Sequence, residues 1–239
     1  MADYTEMSTY YDLIMTSGYY DYDAIVADLT LFPQARTVLE IGCGTGLILE
    51  RLADRRPEVE ISGVDLTRAM LDIAEVRLAP HDQVSTHEQN IVDLSLERQY
   101  DLAFSYGGVW YFVRGPGADD FTLVSHIRDA DENRRGLERL AAHLPAGGTL
   151  LLGIQDPHSD YARPVIGGLE YAQRIIPIEK GFRKQYTLAA ADRTIVMDQT
   201  TDYRTYTFEE AIELLDKCGF EYRARSGAGA SMFQEFRKR

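Results

Sequence analysis

The stretch TVLEIGCGTGLILERL, residues 37–52, constrains the fold more than any other part of the chain. Its first five residues have the composition of a buried parallel strand, three glycines follow at every second position, and a helical pattern then begins. Glycines at the carboxyl end of a parallel strand let the backbone come within contact distance of a ligand. The stretch therefore predicts an α/β fold with a ligand site at Gly42, Gly44 and Gly46.

Strands and helices alternate on both sides of this turn. Apolar runs predict strands at 37–41, 59–65, 100–107 and 149–155, with a weaker strand in VSTHEQN, and amphipathic helical patterns lie between them. Alternation of this kind is typical of right-handed βαβ crossovers. We therefore predict a doubly wound, Rossmann-like parallel sheet as the core, over residues 33–155.

The pattern changes after this core. Residues 156–206 alternate polar and apolar side chains at period two, which predicts an inserted cap of antiparallel strands that contacts the substrate. Residues 207–239 return to the sheet: Thr207 and Glu210 predict a capping box at the start of a helix, and a final hairpin completes the core.

The first 32 residues contain six acidic side chains and no lysine or arginine. They predict two short helices and are rich in tyrosine. We expect them to form a lid that excludes water from the ligand, although the same tyrosines would also suit a hydrophobic helix face. The tyrosines in question are Tyr4, Tyr10, Tyr11, Tyr19, Tyr20 and Tyr22.

Composition excludes several classes of function. The net charge of −13 disfavours nucleic acids and anionic membrane surfaces as partners. Cys43 and Cys218 are the two cysteines, which is too few for a disulfide framework, and no His, Asp or Glu group has metal-ligand spacing. We expect a cytoplasmic protein with a small-molecule substrate, no metal, and a possible homo-oligomer through exposed strand edges.

Two carboxylates define the ligand of the glycine turn. Asp65 ends the second predicted strand, where a carboxylate can grip two ribose hydroxyls. Glu40 precedes the turn and would repel a pyrophosphate, and the third glycine comes one place too early for the dinucleotide pattern G-x-G-x-x-G. These features favour a phosphate-free nucleoside that carries a positive charge, which S-adenosylmethionine satisfies. An oxidoreductase with a nicotinamide cofactor remains the competing interpretation.

The segment VLEIGCGTG resembles motif I of the class I S-adenosylmethionine-dependent methyltransferases, and GVDLTRAMLDIA resembles their second motif. The resemblance implies the seven-stranded sheet of that family. It also implies that the three glycines pack against the methionine and ribose, that Glu40 lies near the amino group, that Asp65 holds the ribose, and that Leu66 lies against the adenine.

Further cofactor contacts follow from position in the family. QNIVDL falls where the family places an acidic residue beside the adenine, so Asn90 would accept from the adenine amino group and Ile91 would stack on the ring. Asp93 is the alternative to Asn90, which in turn would otherwise cap a turn. Ser105, at the end of the fourth strand, is expected beside the cofactor. Cys43 is interpreted as a packed thiol rather than a nucleophile.

The methyl acceptor is expected near SYGGVWYF, residues 105–112. We predict that Trp110 forms a pocket wall and that Tyr111 and Phe112 belong to the catalytic set, with core packing as the alternative for Phe112. ADY…YYDLIM resembles small-molecule N-methyltransferases of antibiotic and deoxysugar pathways, lincosamide-like scaffolds included. That resemblance implies Tyr4 at the reactive centre and Tyr11 at the methionine end. Tyr111 stands where the family often has histidine.

The remaining acceptor contacts are predicted on the lid and after the fifth strand, at Tyr10, Tyr19, Asp156 and His158. His126 and His158 are also candidate bases, although each is more simply interpreted as a loop histidine. The predicted reaction is SN2 methyl transfer to an amine nitrogen of a small natural product. The alternatives are an O-methyltransferase on a hydroxylated metabolite and a non-catalytic binding or regulatory protein.

Overall fold

The computed structural model describes residues 4–117, 120–224 and 231–239, so Ala2 and Asp3 of the tyrosine motif lie outside the described part. The chain begins with two short helices, α1 (Thr5–Thr16) and α2 (Tyr22–Leu29). Asp21 caps α2 by accepting a hydrogen bond from the backbone N–H of Ala24.

The core follows as alternating elements. They are, in chain order, β1 (Thr37–Ile41), α3 (Leu47–Arg55), β2 (Glu60–Asp65), α4 (Arg68–Leu78), β3 (Val84–Glu88), a 3₁₀ turn (Ile91–Asp93), β4 (Leu102–Ser105), β5 (Trp110–Arg114), β6 (Phe121–Ser125), α5 (Ala130–Ala142) and β7 (Thr149–Gln155).

Four long strands and a C-terminal unit complete the chain. These elements are β8 (Tyr161–Val165), β9 (Leu169–Ile178), β10 (Gly181–Ala189), β11 (Ile195–Thr207), α6 (Phe208–Lys217), β12 (Phe220–Arg223) and β13 (Phe233–Lys238). The capping box of Thr207 and Glu210 at the start of α6 is confirmed.

The sheet confirms the Rossmann-like α/β prediction. Strands β3, β2, β1, β4 and β7 pair in parallel in that order. β13 pairs antiparallel with β7, and β12 pairs with β13, which completes seven strands. One edge of β7 is shared: residues 149–153 pair with β13, and Ile154 and Gln155 pair with β5.

The hairpin of β5 and β6 was not predicted from the sequence. It connects the core to the antiparallel strands, because β6 pairs with β11 and the order continues through β10 and β9 to β8. Residues 161–207 therefore form antiparallel strands, as expected, but they extend the core sheet instead of standing apart from it. WYFVR shows no alternation of polar and apolar residues and directly follows a glycine pair, so its sequence does not distinguish a strand from a loop.

The two faces of the sheet bury different elements. α1 to α4 pack on one face with residues such as Ile14, Ile25 and Leu49. α5 and α6 pack on the other with Leu137, Leu140 and others. Within the described ranges, none of the helices has the length and apolar character needed to cross a bilayer. The carboxyl ends of the parallel strands are left to the lid, the glycine turn and the extended strands.

Candidate active site

A cleft of about 880 Å³ lies at the carboxyl ends of β1, β2 and β4. At one end it is lined by the glycine turn and the residues after β2 and β3, which we call the cofactor end. At the other end it is lined by tyrosines of the lid together with side chains of β5, β10 and β11, which we call the acceptor end. The two ends are continuous, so a ligand in one can reach a ligand in the other.

Close backbone approach at the glycine turn requires Gly42, whereas Gly44 is favoured there by its left-handed φ. A Cβ on Gly42 (φ +74°) would lie 2.8 Å from the Cα of Gly108, and one on Gly44 (φ +54°) would face the ring of Tyr11 at 3.7 Å. Both glycines line the cleft. Gly46 does not, which corrects its predicted cofactor contact: it precedes α3 at φ +79°, and its missing side chain makes room for Leu78 of α4.

Asp65 braces this turn. One carboxylate oxygen accepts from the N–H of Gly44 at 2.8 Å, and the other accepts from the N–H of Thr67 at 2.9 Å. Burial raises the pKa of Asp65, and these hydrogen bonds act in the opposite direction. Because each oxygen can accept a second hydrogen bond, Asp65 can still bind a diol in the cleft.

Glu40 is a buried carboxyl group with an unused oxygen. The residue is 2% exposed, and its Oε2 has no hydrogen-bond partner among the described residues. Burial, and then the charge of Asp65, raise the pKa of Glu40 well above its usual range. Glu40 does not itself line the cleft, although its neighbours Ile41 and Gly42 do. A ligand cation that reached this oxygen from the adjacent turn would satisfy it and favour the ionised form.

The structure agrees with some of the predicted adenine contacts and contradicts others. Leu66 and Ile91 line the cleft as expected, together with Gln89. Asn90 instead caps the 3₁₀ turn, accepting from the N–H of Val92 at 3.0 Å, because an amide next to a turn of this kind is held by local backbone donors. Asp93 is exposed and lies 3.6 Å from Arg135, away from the cleft.

Two small side chains near the turn are buried instead of lining the cleft. Ser105 is 0% exposed, and the backbone of Gly108 covers it, since a Cβ on Gly108 would lie 2.9 Å from its Oγ. This corrects its predicted contact with the cofactor. Cys43 packs against the backbone of Gly63, and burial raises the pKa of its thiol well above the usual range, as suits a packed thiol.

The aromatic run 110–112 divides between core and cleft. Successive side chains of a strand point to opposite faces, and 110–112 begin β5. Trp110 and Phe112 are therefore fully buried in the core: the indole N–H donates to Asn133 at 2.8 Å, and Phe112 stacks on Phe236. This corrects the predicted pocket wall at Trp110 and the predicted catalytic role of Phe112. Tyr111 points the other way and lines the cleft.

Tyr4 lies in a connected group of phenols at the acceptor end. Its hydroxyl shares a hydrogen bond with Tyr203 at 2.9 Å, and Tyr203 shares another with Tyr186 at 2.5 Å. The Nδ1 of His126 lies 3.5 Å from the Tyr4 hydroxyl. Burial raises the pKa of Tyr4 and lowers that of His126 to about 3, so all four groups are uncharged near neutral pH.

The residues after β7 are placed differently from one another. His158 lines the cleft, with Nε2 3.1 Å from the Tyr111 hydroxyl, and burial lowers its pKa to about 3. Both candidate histidines thus lie in loops, as predicted, and both line the cleft. Asp156 is exposed and lines a neighbouring groove, so the structure does not bring it to the acceptor. The turn after β7 carries it outward.

The lid tyrosines also separate into two groups. Tyr4, Tyr11, Tyr19 and Tyr20 line the cleft. Tyr10 packs on the core from the outer part of α1, which corrects its predicted substrate contact. The helical period explains the difference, because residues 4 and 11 lie two turns apart on one face of α1 and residue 10 does not.

Several residues at the acceptor end were missed from the sequence. Lys184, Tyr186 and Tyr203 come from β10 and β11, and Gln155 from the end of β7. A signal existed for Lys184: in FRKQYTLA it occupies the apolar phase shared by Phe182, Tyr186 and Leu188, so its ammonium group was directed inward. The side of the strand that faces the cleft is set by the pairing of β6 with β11, which was not predicted.

Comparisons with known proteins agree with this architecture. Residues 38–148 match the family model of a methyltransferase domain. The chain is 30% identical over 157 residues to a dTDP-3-amino-3,6-dideoxy-alpha-D-glucopyranose N,N-dimethyltransferase of Streptomyces fradiae, covering 63% of this chain and 54% of that protein. It is 40% identical over 81 residues to a malonyl-[acyl-carrier protein] O-methyltransferase of Priestia megaterium, covering 34% and 29%. The chain thus spans about half or less of the length of these relatives.

Solved structures extend the similarity to the whole fold. The amino pentose methyltransferase CalS10 of Micromonospora echinaspora, solved with S-adenosylmethionine bound, superposes with a TM-score of 0.71. The two chains are 20% identical, and the match covers 96% of each. The resemblance inferred from the glycine turn is thereby confirmed. Residues 38–148 thus resemble a methyltransferase domain in sequence, and the whole chain shares the fold of the solved amino pentose methyltransferase.

Proposed function

We propose that the protein transfers a methyl group from S-adenosylmethionine to an amine nitrogen of a small natural-product acceptor of antibiotic or aminosugar type. The single observation that carries the proposal is the continuous cleft. One end has the backbone of Gly44 and the carboxylate of Asp65, with the unsatisfied carboxyl of Glu40 buried next to the lining residues Ile41 and Gly42. The other end is closed by uncharged phenols and imidazoles. The dimethyltransferase of Streptomyces fradiae, an aminosugar enzyme by name, supports the acceptor class.

The cofactor end fits S-adenosylmethionine in three respects. Glu40 offers a buried oxygen to an ammonium group, Asp65 offers two oxygens to the ribose diol, and Leu66 and Ile91 offer apolar surface to the adenine. When bound, the cofactor supplies a methyl group activated by the sulfonium. The chain's own task is then to orient the acceptor and to exclude water.

The acceptor end suits positioning more than strong base catalysis. An SN2 transfer requires the nucleophile held in line at about 3 Å from the methyl carbon. Tyr4 and Tyr111 present hydroxyls that can orient an amine lone pair. The lid helix α1 is held over the glycine turn, because Thr45 donates to Asp12 and Arg77 pairs with the same carboxylate. We propose residues 1–32 as the lid and 156–206 as the segment that selects the acceptor.

O-methylation remains the second candidate. The malonyl-[acyl-carrier protein] O-methyltransferase of Priestia megaterium is similar over 81 residues, and His126 and His158 are unprotonated groups inside the cleft. Their pKa of about 3 makes them weak bases for an alcohol or a phenol. A free amine already carries the lone pair that attacks, so it needs no base during the transfer itself, and this favours nitrogen as the acceptor atom. Cytoplasmic location and homo-oligomer formation stay predictions.

The proposal is tested in two steps. Calorimetric titration should give saturable binding of S-adenosylhomocysteine and none of NAD. Incubation with methyl-labelled S-adenosylmethionine and a panel of paired amino and hydroxy sugars should then label the amino members. Binding of NAD instead would contradict the cofactor assignment, and labelling of the hydroxy members alone would replace N-methylation by O-methylation.

A further inference from the structure

Lys184 is buried in the wall of the acceptor end without a carboxylate partner among the described residues. It is 2% exposed and lines the cleft, and its Nζ donates to the Tyr19 hydroxyl at 2.7 Å. The Nζ lies 4.9 Å from the ring centre of Tyr186 and 5.4 Å from that of Tyr19. Tyr171 of β9 packs behind Tyr19. Lysine side chains are almost never fully buried in proteins unless their ammonium group is paired.

The other titratable groups that face this part of the cleft are phenols and imidazoles. They are Tyr4, Tyr20, Tyr111, Tyr186, Tyr203, His126 and His158, and the guanidinium of Arg163 lies against the ring of Tyr19. None of these carries a negative charge near neutral pH, because burial raises the pKa of each phenol and lowers that of each imidazole. The carboxylates nearest the cleft, Glu40 and Asp65, belong to the cofactor end. An acceptor that arrives as an ammonium ion therefore finds no anion to hold it.

The same surroundings favour the neutral amine of Lys184. Desolvation lowers its pKa to about 7. A cationic ligand at the cofactor end of the same cleft would lower it further, since like charges disfavour one another. Neutral Nζ can donate to Tyr19 and still offer its lone pair to the cleft.

We propose that Lys184 is the proton acceptor that converts the ammonium form of the methyl acceptor into the nucleophilic free amine. The inference rests on the proposed function and names a catalytic residue for it. An N–H bond of the acceptor breaks, its proton bonds to the Nζ lone pair, and the acceptor keeps the electron pair that attacks the methyl carbon. The new lysine ammonium is held by the Tyr19 hydroxyl and by the ring face of Tyr186. Its proton leaves to water when the lid opens.

This role predicts a distinctive pH profile. Neutral Lys184 must meet an ammonium acceptor, so kcat/KM of the wild type should rise with pH through about 7 and then stay level up to the pKa of the acceptor amine. In Lys184→Met the acceptor must arrive already deprotonated. For an amine of pKa about 10, kcat/KM should then keep rising tenfold per pH unit up to pH 10, without the level region that the wild type has above pH 7. Lys184→Arg, which keeps its charge, should be impaired at every pH.

A different use of Lys184 gives opposite results. If its ammonium bound an anionic group of the acceptor, Lys184→Arg would retain activity, and the wild-type rate would fall above pH 7. If it served only packing, Lys184→Met would lose activity equally at all pH values. Either outcome overturns the proposal. Lys217→Met, on the exposed face of α6 and 69% exposed, is the matched control and should behave as wild type.

A second measurement does not depend on turnover. The chain contains four lysines, so ¹³C-lysine labelling of the intact protein gives a small set of resonances, and the one lost in Lys184→Met belongs to Lys184. Its titration should have a midpoint near 7 that moves lower when S-adenosylmethionine is added. A midpoint near 10 would contradict the proposal. If no amine is methylated but Lys184 titrates near 7, the proposed function fails; if amines are methylated without the predicted pH profiles, only the role of Lys184 fails.

Discussion

The two ends of the cleft are built in different ways. The cofactor end is lined mostly by residues of one stretch, 41–67, which present backbone groups and the carboxylate of Asp65, with Glu40 buried beside them. The acceptor end is assembled from the lid, the loop after β4, the ends of β6 and β7, and strands β10 and β11. The first depends on local geometry that any homologous turn can supply. The second depends on how distant segments pack, so it is the part that can change its substrate without altering the cofactor site.

The largest effect is expected from adding a side chain where the glycine turn touches the backbone of the loop after β4. Gly42→Ala places a Cβ 2.8 Å from the Cα of Gly108 and forces a left-handed backbone on alanine. We expect the free energy of unfolding to fall by about 3 kcal/mol and cofactor binding to be lost. Thermal unfolding and calorimetric titration measure the two quantities.

Gly147→Ala is the matched control for this change. It has a similar φ of +80° and nothing within 4 Å of the added Cβ. Its cost should be the left-handed strain alone, about 1 kcal/mol, with binding unchanged. Equal destabilisation by the two substitutions would show that the close approach at the turn does not matter.

A smaller effect is expected at Glu40, which tests whether one carboxyl holds the cofactor's cation. Glu40→Gln should weaken S-adenosylhomocysteine binding by about 10- to 100-fold, because a charge-assisted hydrogen bond is replaced by a neutral one. Glu60 is the first residue of β2 and pairs with Arg98 on the surface. Glu60→Gln is the control and should bind S-adenosylhomocysteine normally. Unchanged affinity in Glu40→Gln would remove Glu40 from the cofactor site.

The same substitution should change the pH dependence of stability. The pKa of Glu40 is raised in the folded state, so the folded protein holds a proton that the unfolded chain releases. Its contribution to stability is therefore present below the unfolded value of about 4.3 and is lost as pH rises through the folded value. In the ligand-free protein, Glu40→Gln should remove this decline. If the stability of the wild type instead rises with pH over this range, and Glu40→Gln removes that rise, the assignment is wrong.

The smallest effect concerns the contact that joins the two ends. Asp12 of the lid pairs with Arg77 and accepts from Thr45 beside the glycine turn. Asp12→Asn should increase the dissociation rate of S-adenosylhomocysteine about three- to tenfold, measured by stopped flow, with little change in unfolding temperature. Asp72→Asn removes an exposed pair with Arg68 on α4 and should leave that rate unaltered. Equal rates in both variants would mean that the lid is held by packing alone.

The core of the fold was predictable because its signals are local. The strands and helices of the doubly wound sheet, the capping box at Thr207 and the turn at Gly42 and Gly44 all follow from periodicity and backbone requirements of short segments. The hairpin of β5 and β6 was not predictable in the same way, since its residues resemble a loop between two glycines and a helix. Without it, the direction of Tyr111 and the placement of the long antiparallel strands could not be derived.

The residues of the site show the same difference between local and long-range determinants. The sequence determined the chemistry at Glu40, Asp65 and the glycine turn, because a carboxylate, a strand end and a glycine act within a few residues of one another. The tertiary structure decided which aromatic and basic groups meet the acceptor. It sent Trp110 into the core and Tyr111 into the cleft, and it brought Lys184 to Tyr19 from 165 positions away in the chain. Strand alternation fixes which neighbours share a face, but only long-range pairing fixes what that face contacts.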